Sequence, residues 1–183
     1  VEHEGPGIYD YEYLDYLKKL VKVADKYNIS CYVDFHQDAW SRFTGGSGAP
    51  AWTLKSVGFN LENLHETQAA FLHQKHNGDL PSMVWPTNYG HLATGTMFTI
   101  FFAGNEYTPN LLINGEQAQD FLQKHFLGAL EVVVNTLKNE RNVLGYDLFN
   151  EPSEGFVGVE DISSFYWPLR SGYIMNLFDA FQL

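Results

Sequence analysis

The chain holds a single cysteine in 183 residues, so no disulfide can form within it. Cys31 lies in the apolar run "ISCYVDF", where a buried structural thiol is expected, and its isolation favours an intracellular setting. Basic residues are also scarce: 11 Lys and Arg stand against 22 Asp and Glu, a formal net charge of -11 at pH 7. Phosphate backbones are bound by clustered Lys and Arg, so this balance argues against a nucleic-acid partner and weakens electrostatic attachment to anionic lipid. Long apolar runs are missing too. The longest candidate, "MFTIFFAG" at 97–104, falls far short of the ~20 residues that cross a bilayer. No methionine opens the chain, and its last residues, "LFDAFQL", read as interrupted helix. The expectation is a fragment, in which a missing signal peptide carries no information.

What is present is a core. Hydrophobic residues make up 45% of the chain and aromatics 16%, which suits a folded protein of one or at most two domains. Residues 10–27 place Leu14, Leu17, Val21 and Ala24 on one helical face, with Asp10 as N-cap and Asn28 as stop. "ISCYVDF", 29–35, is short, β-branched and nearly continuous in its hydrophobicity, as in a strand buried on both faces of a parallel sheet. Residues 115–138 form a second helix, and "VLGYDLF", 143–149, a second buried strand. Between the strands and before the second helix lies a long irregular segment, 36–113, rich in Gly, Pro, Trp and His, with a short helix expected around 63–76. Helix is expected again after about residue 162. Alternating strands and helices imply parallel β/α units, either an open doubly wound sheet or a closed barrel, with ligands at the carboxyl ends of the strands in both.

Both strands end in polar residues: the first in His36-Gln37-Asp38, the second in Asn150-Glu151 followed by Pro152. If the strands are parallel neighbours, these ends lie side by side, about 4.8 Å apart. Alternation puts Asp34 and His36 on one face. The weighed alternative is that each strand simply meets solvent at a polar residue. Other signals are weaker. "LHETQ" begins like a zinc helix, but residue 69 is Ala; His73 and His76 have no third ligand nearby, so no metal is expected and a solvated face is the better reading. "GGSGAP" lacks the lysine of a phosphate loop and reads as a turn needing positive φ. Glu2, Glu4 and Glu154 read as surface acids. Trp40, Trp52 and Trp85 suit either sugar platforms or packing within the long segment.

Several separated stretches, in order, resemble one family. "VDFHQDAWSRFTGGSGAPAWT" (33–53), "PSMVWPTNYG" (81–90), "TMFTIFFAG" (96–104) and "LFNEP" (148–152) are similar to the glycosylceramidase branch of glycoside hydrolase family five. The fungal glucosylceramidase and steryl-β-glucosidase group is the nearest likeness, with the endoglycoceramidases as cousins; the likeness covers residues 1 to about 158. The resemblance implies a (β/α)8 TIM-barrel hydrolase that retains anomeric configuration and needs no cofactor. By this likeness the 183 residues are part of a single catalytic domain, carrying strands three and four with a long inserted loop between them; a full barrel is typically about 250 residues. Glu151 matches the family's acid/base. Asn150 matches the residue that bonds the sugar's 2-hydroxyl and the nucleophile, and His36, Asp38 and Asp34 match polar positions after the third strand. The family's nucleophile, a glutamate after the seventh strand, has no match here and is expected beyond Leu183. Asp38 fits that role on spacing alone, but the resemblance speaks against it.

The implied substrate is a glycolipid, glucosylceramide or a steryl β-glucoside, or another β-glucoside. "MFTIFFAG" or Trp85 would form an apolar lip for the aglycone, which allows transient contact with membrane lipid. The alternatives weighed are a non-catalytic carbohydrate- or glycolipid-binding remnant and a family-five endoglycoceramidase or glucanase. Incomplete, such a barrel would expose sheet edges and apolar faces, so poor solubility is expected in isolation.

Overall fold

The computed structural model describes residues 1–77 and 85–161. The helix expected after residue 162 and the first residues of "PSMVWPTNYG" lie outside them. Helix α1, Tyr11–Lys26, starts where Asp10 caps it: Oδ1 accepts from the backbone N–H of Tyr13 at 2.8 Å. Asn28, with φ of 56°, ends the turn in the left-handed conformation that Asn tolerates. Strand β1, Cys31–Asp34, follows. The chain then runs through helix α2 (Ala51–Ser56), helix α3 (Leu92–Tyr107), a small antiparallel hairpin of β2 (Leu112–Ile113) and β3 (Glu116–Gln117), and helix α4 (Ala118–Leu137) before strand β4, Val143–Asp147.

Strands β1 and β4 pair in parallel, with Asp34 opposite Asp147. Helices α1 and α4 cover one face of the pair: Leu14, Val21, Val133 and Leu137 are buried together, with Cys31, Val33, Val143 and Tyr146 packed against them. The chain is thus a mixed α/β structure built on a parallel strand–helix–strand unit. Among the described residues the other face stays open. Tyr32 is 65% exposed and Leu144 72%, so neither strand is buried on both faces as its continuous hydrophobicity suggested. Cys31 is half-buried rather than buried, with the side-chain amide of Asn142 at 3.8 Å from its Sγ. A second apolar stripe on α1, Tyr13, Tyr16, Leu20 and Val23, continued by the C-cap Tyr27, recurs at helical spacing and is also exposed.

Among the described residues, the long segment between the strands carries more regular structure than its composition suggested. Its centre is α3, apolar almost all round: Met97, Phe98, Ile100 and Phe101 are buried with Trp40, Leu54, Phe121 and Leu122 in the largest core cluster. "MFTIFFAG" is therefore core rather than an exposed lip, and only Phe102, at 44%, shows a large apolar surface to solvent. No α-helix forms over 63–76. Turns occupy that stretch, with a 3₁₀ turn at His73–Lys75. The glycine turn behaves as its composition requires: Gly45 and Gly48 have φ of 87° and 114°, and a Cβ on Gly46 would sit 1.7 Å from the Asp38 carbonyl oxygen. That approach lets Asp38 and Ser47 exchange two backbone hydrogen bonds, of 3.0 and 2.8 Å.

One buried amide locks the strand–helix–strand unit. Asn142 donates from its side chain to the carbonyls of Val21 at 3.0 Å and Ile29 at 3.1 Å, while its own carbonyl accepts from Cys31 N–H at 2.7 Å. Removing the donor leaves two carbonyls without it, one of them in a buried bond. Asn142→Ala is predicted to cost about 1–3 kcal/mol of stability, read as a fall in the urea midpoint at unchanged slope; an unchanged midpoint would refute this.

Candidate active site

The parallel register carries the polar ends of β1 and β4 to the same edge. Beyond Asp34, Phe35 N–H still bonds Asp147 O at 3.3 Å, and then both chains leave the sheet. On the β1 side the expected face forms: His36 Nδ1 lies 2.8 Å from Asp34 Oδ2, and Nε2 lies 3.1 Å from Asp38 Oδ2. Both ring nitrogens meet carboxylate oxygens, a pattern that only the imidazolium satisfies in full. The His36 pKa is accordingly held above its ordinary value, first by the hydrogen bond to Asp34 and then by that to Asp38.

On the β4 side, the Asn150 side-chain amide donates to the carbonyl of Gln37 at 2.8 Å. Among the described residues its side-chain oxygen and second N–H have no further partner. Glu151 is exposed, and its φ of 38° is in the left-handed region that a residue with a Cβ normally avoids. Ala39 and Trp40, just past Asp38, are left-handed as well, at 44° and 74°. Strained residues thus gather at both strand ends.

Two residues that sequence reasoning passed over hold these ends together. Gln37 is only 5% exposed. Its side-chain oxygen accepts from Trp40 N–H at 2.9 Å, which turns its Nε2 toward three oxygens: Asn150 O at 2.6 Å, Glu151 O at 3.1 Å and the Tyr89 hydroxyl at 3.2 Å. A polar side chain in the inward phase between outward Asp34, His36 and Asp38 was the available signal. Tyr89 had none. It lies within the 3₁₀ turn Trp85–Gly90, stacks on Phe98 at 6.0 Å, and its hydroxyl reaches Glu151 O at 3.5 Å. Burial raises the Tyr89 pKa, and the charges of Asp38 and Glu151 add to it, so its hydroxyl keeps its proton.

Trp85 itself is half-buried at the start of that turn, where its carbonyl accepts from the Asn88 side chain at 3.1 Å. The other two candidate platforms are packing residues. Trp40 is buried with its N–H on Thr53, and Trp52 packs edge-on to Phe121 and donates to Glu2 O at 2.7 Å. Glu2 is not a surface acid either: it is 6% exposed, with Oε1 2.8 Å from His125 Nδ1. His73 and His76 do not form a solvated helix face; their rings lie 5.7 and 5.0 Å from that of Phe71, and the His65 ring lies 5.6 Å from it. Among the described residues no cluster of three His, Cys, Asp or Glu has the geometry to hold a metal ion, and no helix is long and apolar enough to cross a membrane.

No family model matches the chain. It is 46% identical over 167 residues to a glucosylceramidase of Rhizopus delemar, an alignment covering 90% of this chain and 24% of that protein. It is 40% identical to the ergosteryl-β-glucosidase of Saccharomyces cerevisiae, covering 100% of this chain and 27% of that one. The crystal structure of Cryptococcus neoformans sterylglucosidase 1 superposes with a TM-score of 0.92 at 39% identity, over 96% of this chain and 26% of that chain. The chain thus spans about a quarter of the length of the curated relatives it matches. Along that span it is similar to the fungal glucosylceramidases and steryl-β-glucosidases.

Proposed function

We propose that these residues supply the third and fourth strands of a (β/α)8 barrel whose activity is retaining hydrolysis of a glycolipid β-glucoside, either glucosylceramide or a steryl glucoside. The observation that carries this reading is the parallel pairing of β1 with β4, which sets Asp34, His36 and Asp38 beside Asn150 and Glu151 in a chain so similar to glucosylceramidases. The open face of the strand pair and the second apolar stripe of α1 fit neighbours in a closed barrel.

Glu151 is the proton donor in this reading. It protonates the glycosidic oxygen as the bond to the sugar breaks, then takes a proton from the water that releases the sugar. Asn150 offers its free carbonyl oxygen and N–H to a sugar hydroxyl. His36 and Asp38 bind further hydroxyls, with Asp34 fixing the imidazole. The nucleophile is a second carboxylate from elsewhere in the barrel, about 5–5.5 Å from Glu151. Asp38 is a poor choice for it, because its Oδ2 is already engaged by His36 and lies 3.5 Å from Ser47 Oγ. The aglycone is apolar, and Phe102 beside Phe149, ring centroids 6.0 Å apart, offers it the exposed aromatic surface of this segment.

In a polypeptide carrying the whole barrel, Glu151→Ala is predicted to slow hydrolysis of the lipid glucoside by about 10²–10⁴-fold. For a dinitrophenyl glucoside, whose leaving group needs no proton, kcat/KM should be largely spared while kcat falls for want of the base in the second step, and added azide should restore turnover and give a β-glucosyl azide. Equal loss of kcat/KM on both substrates, or preference of the unmodified enzyme for cellobiose over the lipid glucoside, would overturn the reading.

The imidazole between two carboxylates gives a second prediction. In an NMR titration the His36 midpoint should lie above the ~6.5 of a free histidine and fall in Asp34→Asn. The sign of the linkage follows. A raised folded-state pKa favours the fold below the unfolded pKa, and that contribution is lost as pH rises through the folded value. Solvent exposure keeps it small. A midpoint that Asp34→Asn leaves unmoved would remove Asp34 from its orienting role.

A further inference from the structure

Glu151 does not hold its conformation alone, and what holds it comes from outside its own strand. Gln37 Nε2 reaches the two carbonyls that flank the Glu151 peptide, at 2.6 and 3.1 Å, and Asn150 returns a bond to the Gln37 carbonyl. The two strand ends therefore grip each other reciprocally, side chain to backbone in both directions. Tyr89 supports the gripping amide from the long segment, its hydroxyl 3.2 Å from Gln37 Nε2, while its ring rests on Phe98 of α3. Beyond Glu151 the chain is docked onto the same helix. Phe156 N–H donates to Thr99 Oγ1 at 2.7 Å, and the Phe156 ring lies so close over Gly95 that a Cβ there would sit 2.4 Å from it.

We infer that Gln37 and Tyr89 are positioning residues that aim the Glu151 carboxyl by holding its backbone left-handed; this rests on the reading of Glu151 as proton donor. A left-handed non-glycine residue persists only where its surroundings over-determine it. At φ of 38° the direction of the Glu151 side chain is set by the peptide on either side, and Gln37 grips both. Relaxing that peptide to right-handed φ would swing the carboxyl away from the leaving oxygen without removing any group that touches the sugar. The long segment between the strands then has a mechanistic part: through Tyr89 and the Thr99–Phe156 bond it is the rigid body to which the proton donor is referenced.

The test uses Gln37→Met and Tyr89→Phe in the polypeptide carrying the whole barrel. Tyr89→Phe removes one hydroxyl and keeps the stacked ring, so it remains informative if Gln37→Met folds poorly. The readout is kcat/KM on an alkyl glucoside, which needs the proton, and on a dinitrophenyl glucoside, which does not. A misplacement of about 1 Å costs roughly 10²-fold in such chemistry, so kcat/KM for the alkyl glucoside should fall by about 10–100-fold in Gln37→Met and less in Tyr89→Phe. The dinitrophenyl glucoside should stay within about twofold, and the basic limb of the alkyl glucoside's pH profile should move. Parallel loss on both substrates, or an unmoved basic limb, overturns the inference. Glu151→Ala run alongside separates the two ideas. If it fails to discriminate the leaving groups, the role of Glu151 falls; if it does and the Gln37 and Tyr89 variants do not, only the positioning role falls.

Discussion

The Gln37 side-chain amide is the constraint on which the candidate site rests. A buried primary amide must find partners for both its ends, because an unsatisfied one costs roughly 1–3 kcal/mol. Here the oxygen is claimed by Trp40 N–H, so the nitrogen must face Asn150, Glu151 and Tyr89. Satisfying one group therefore fixes three separate pieces of chain: the turn after β1, the end of β4 and the 3₁₀ turn before α3. Two of these pieces carry residues in left-handed conformations, Ala39, Trp40 and Glu151. Such conformations cost on the order of 1–3 kcal/mol each. They are tolerable because the surrounding bonds over-determine them: Ala39 O accepts from both Thr44 and Thr94, Trp40 O accepts from Ala49 N–H, and the Trp40 indole donates to Thr53.

The segment between the strands is what makes that over-determination possible. A short β/α connection would bring few side chains to the strand ends. This one brings a helix, α3, buried on nearly all sides, with Trp40 edge-on to Phe98 at 5.4 Å and to Phe101 at 5.6 Å. Aromatic pairs of this kind add directional contact to the burial of area. The result is a second core beside the strand–helix–strand core, joined to it through α4, whose Phe121 and Leu122 serve the second core and Val133 and Leu137 the strand–helix–strand core. The site edge lies where the two cores meet.

Much of this was legible in the sequence, and the misses share a cause. Helix α1, its Asp10 cap and helix α4 follow from one-sided periodicity, and the parallel pairing follows from element order. Asp34, His36 and Asp38 come together because strand alternation is a strict geometric rule. Helix α3 was missed because periodicity requires a polar side: with Met97, Phe98, Ile100 and Phe101 all buried, no stripe remains to read. The strands erred the other way. Tyr32 and Leu144 make them look doubly buried, yet both are largely exposed among the described residues, with Tyr32 lying across Gly145 and Tyr146 of the paired strand. Glu2 read as a surface acid because its partner, His125, is 123 residues away. Gln37 and Tyr89 act through pairings 52 to 114 residues apart, which no local pattern encodes.

The two sides of the site edge are built differently. On the β1 side, two carboxylates around one imidazole form an exposed cluster that needs no backbone distortion of its own, since Asp34, His36 and Asp38 follow ordinary alternation. On the β4 side, a single carboxyl sits on distorted backbone gripped from behind. The contrast matches two different demands of the proposed hydrolysis. Binding hydroxyls tolerates small displacements, because hydrogen bonds are broad in angle and solvent can share them. Proton transfer to a breaking bond does not, because its rate falls steeply when donor and acceptor are misaligned. The more rigid construction stands under Glu151, where misalignment would matter most.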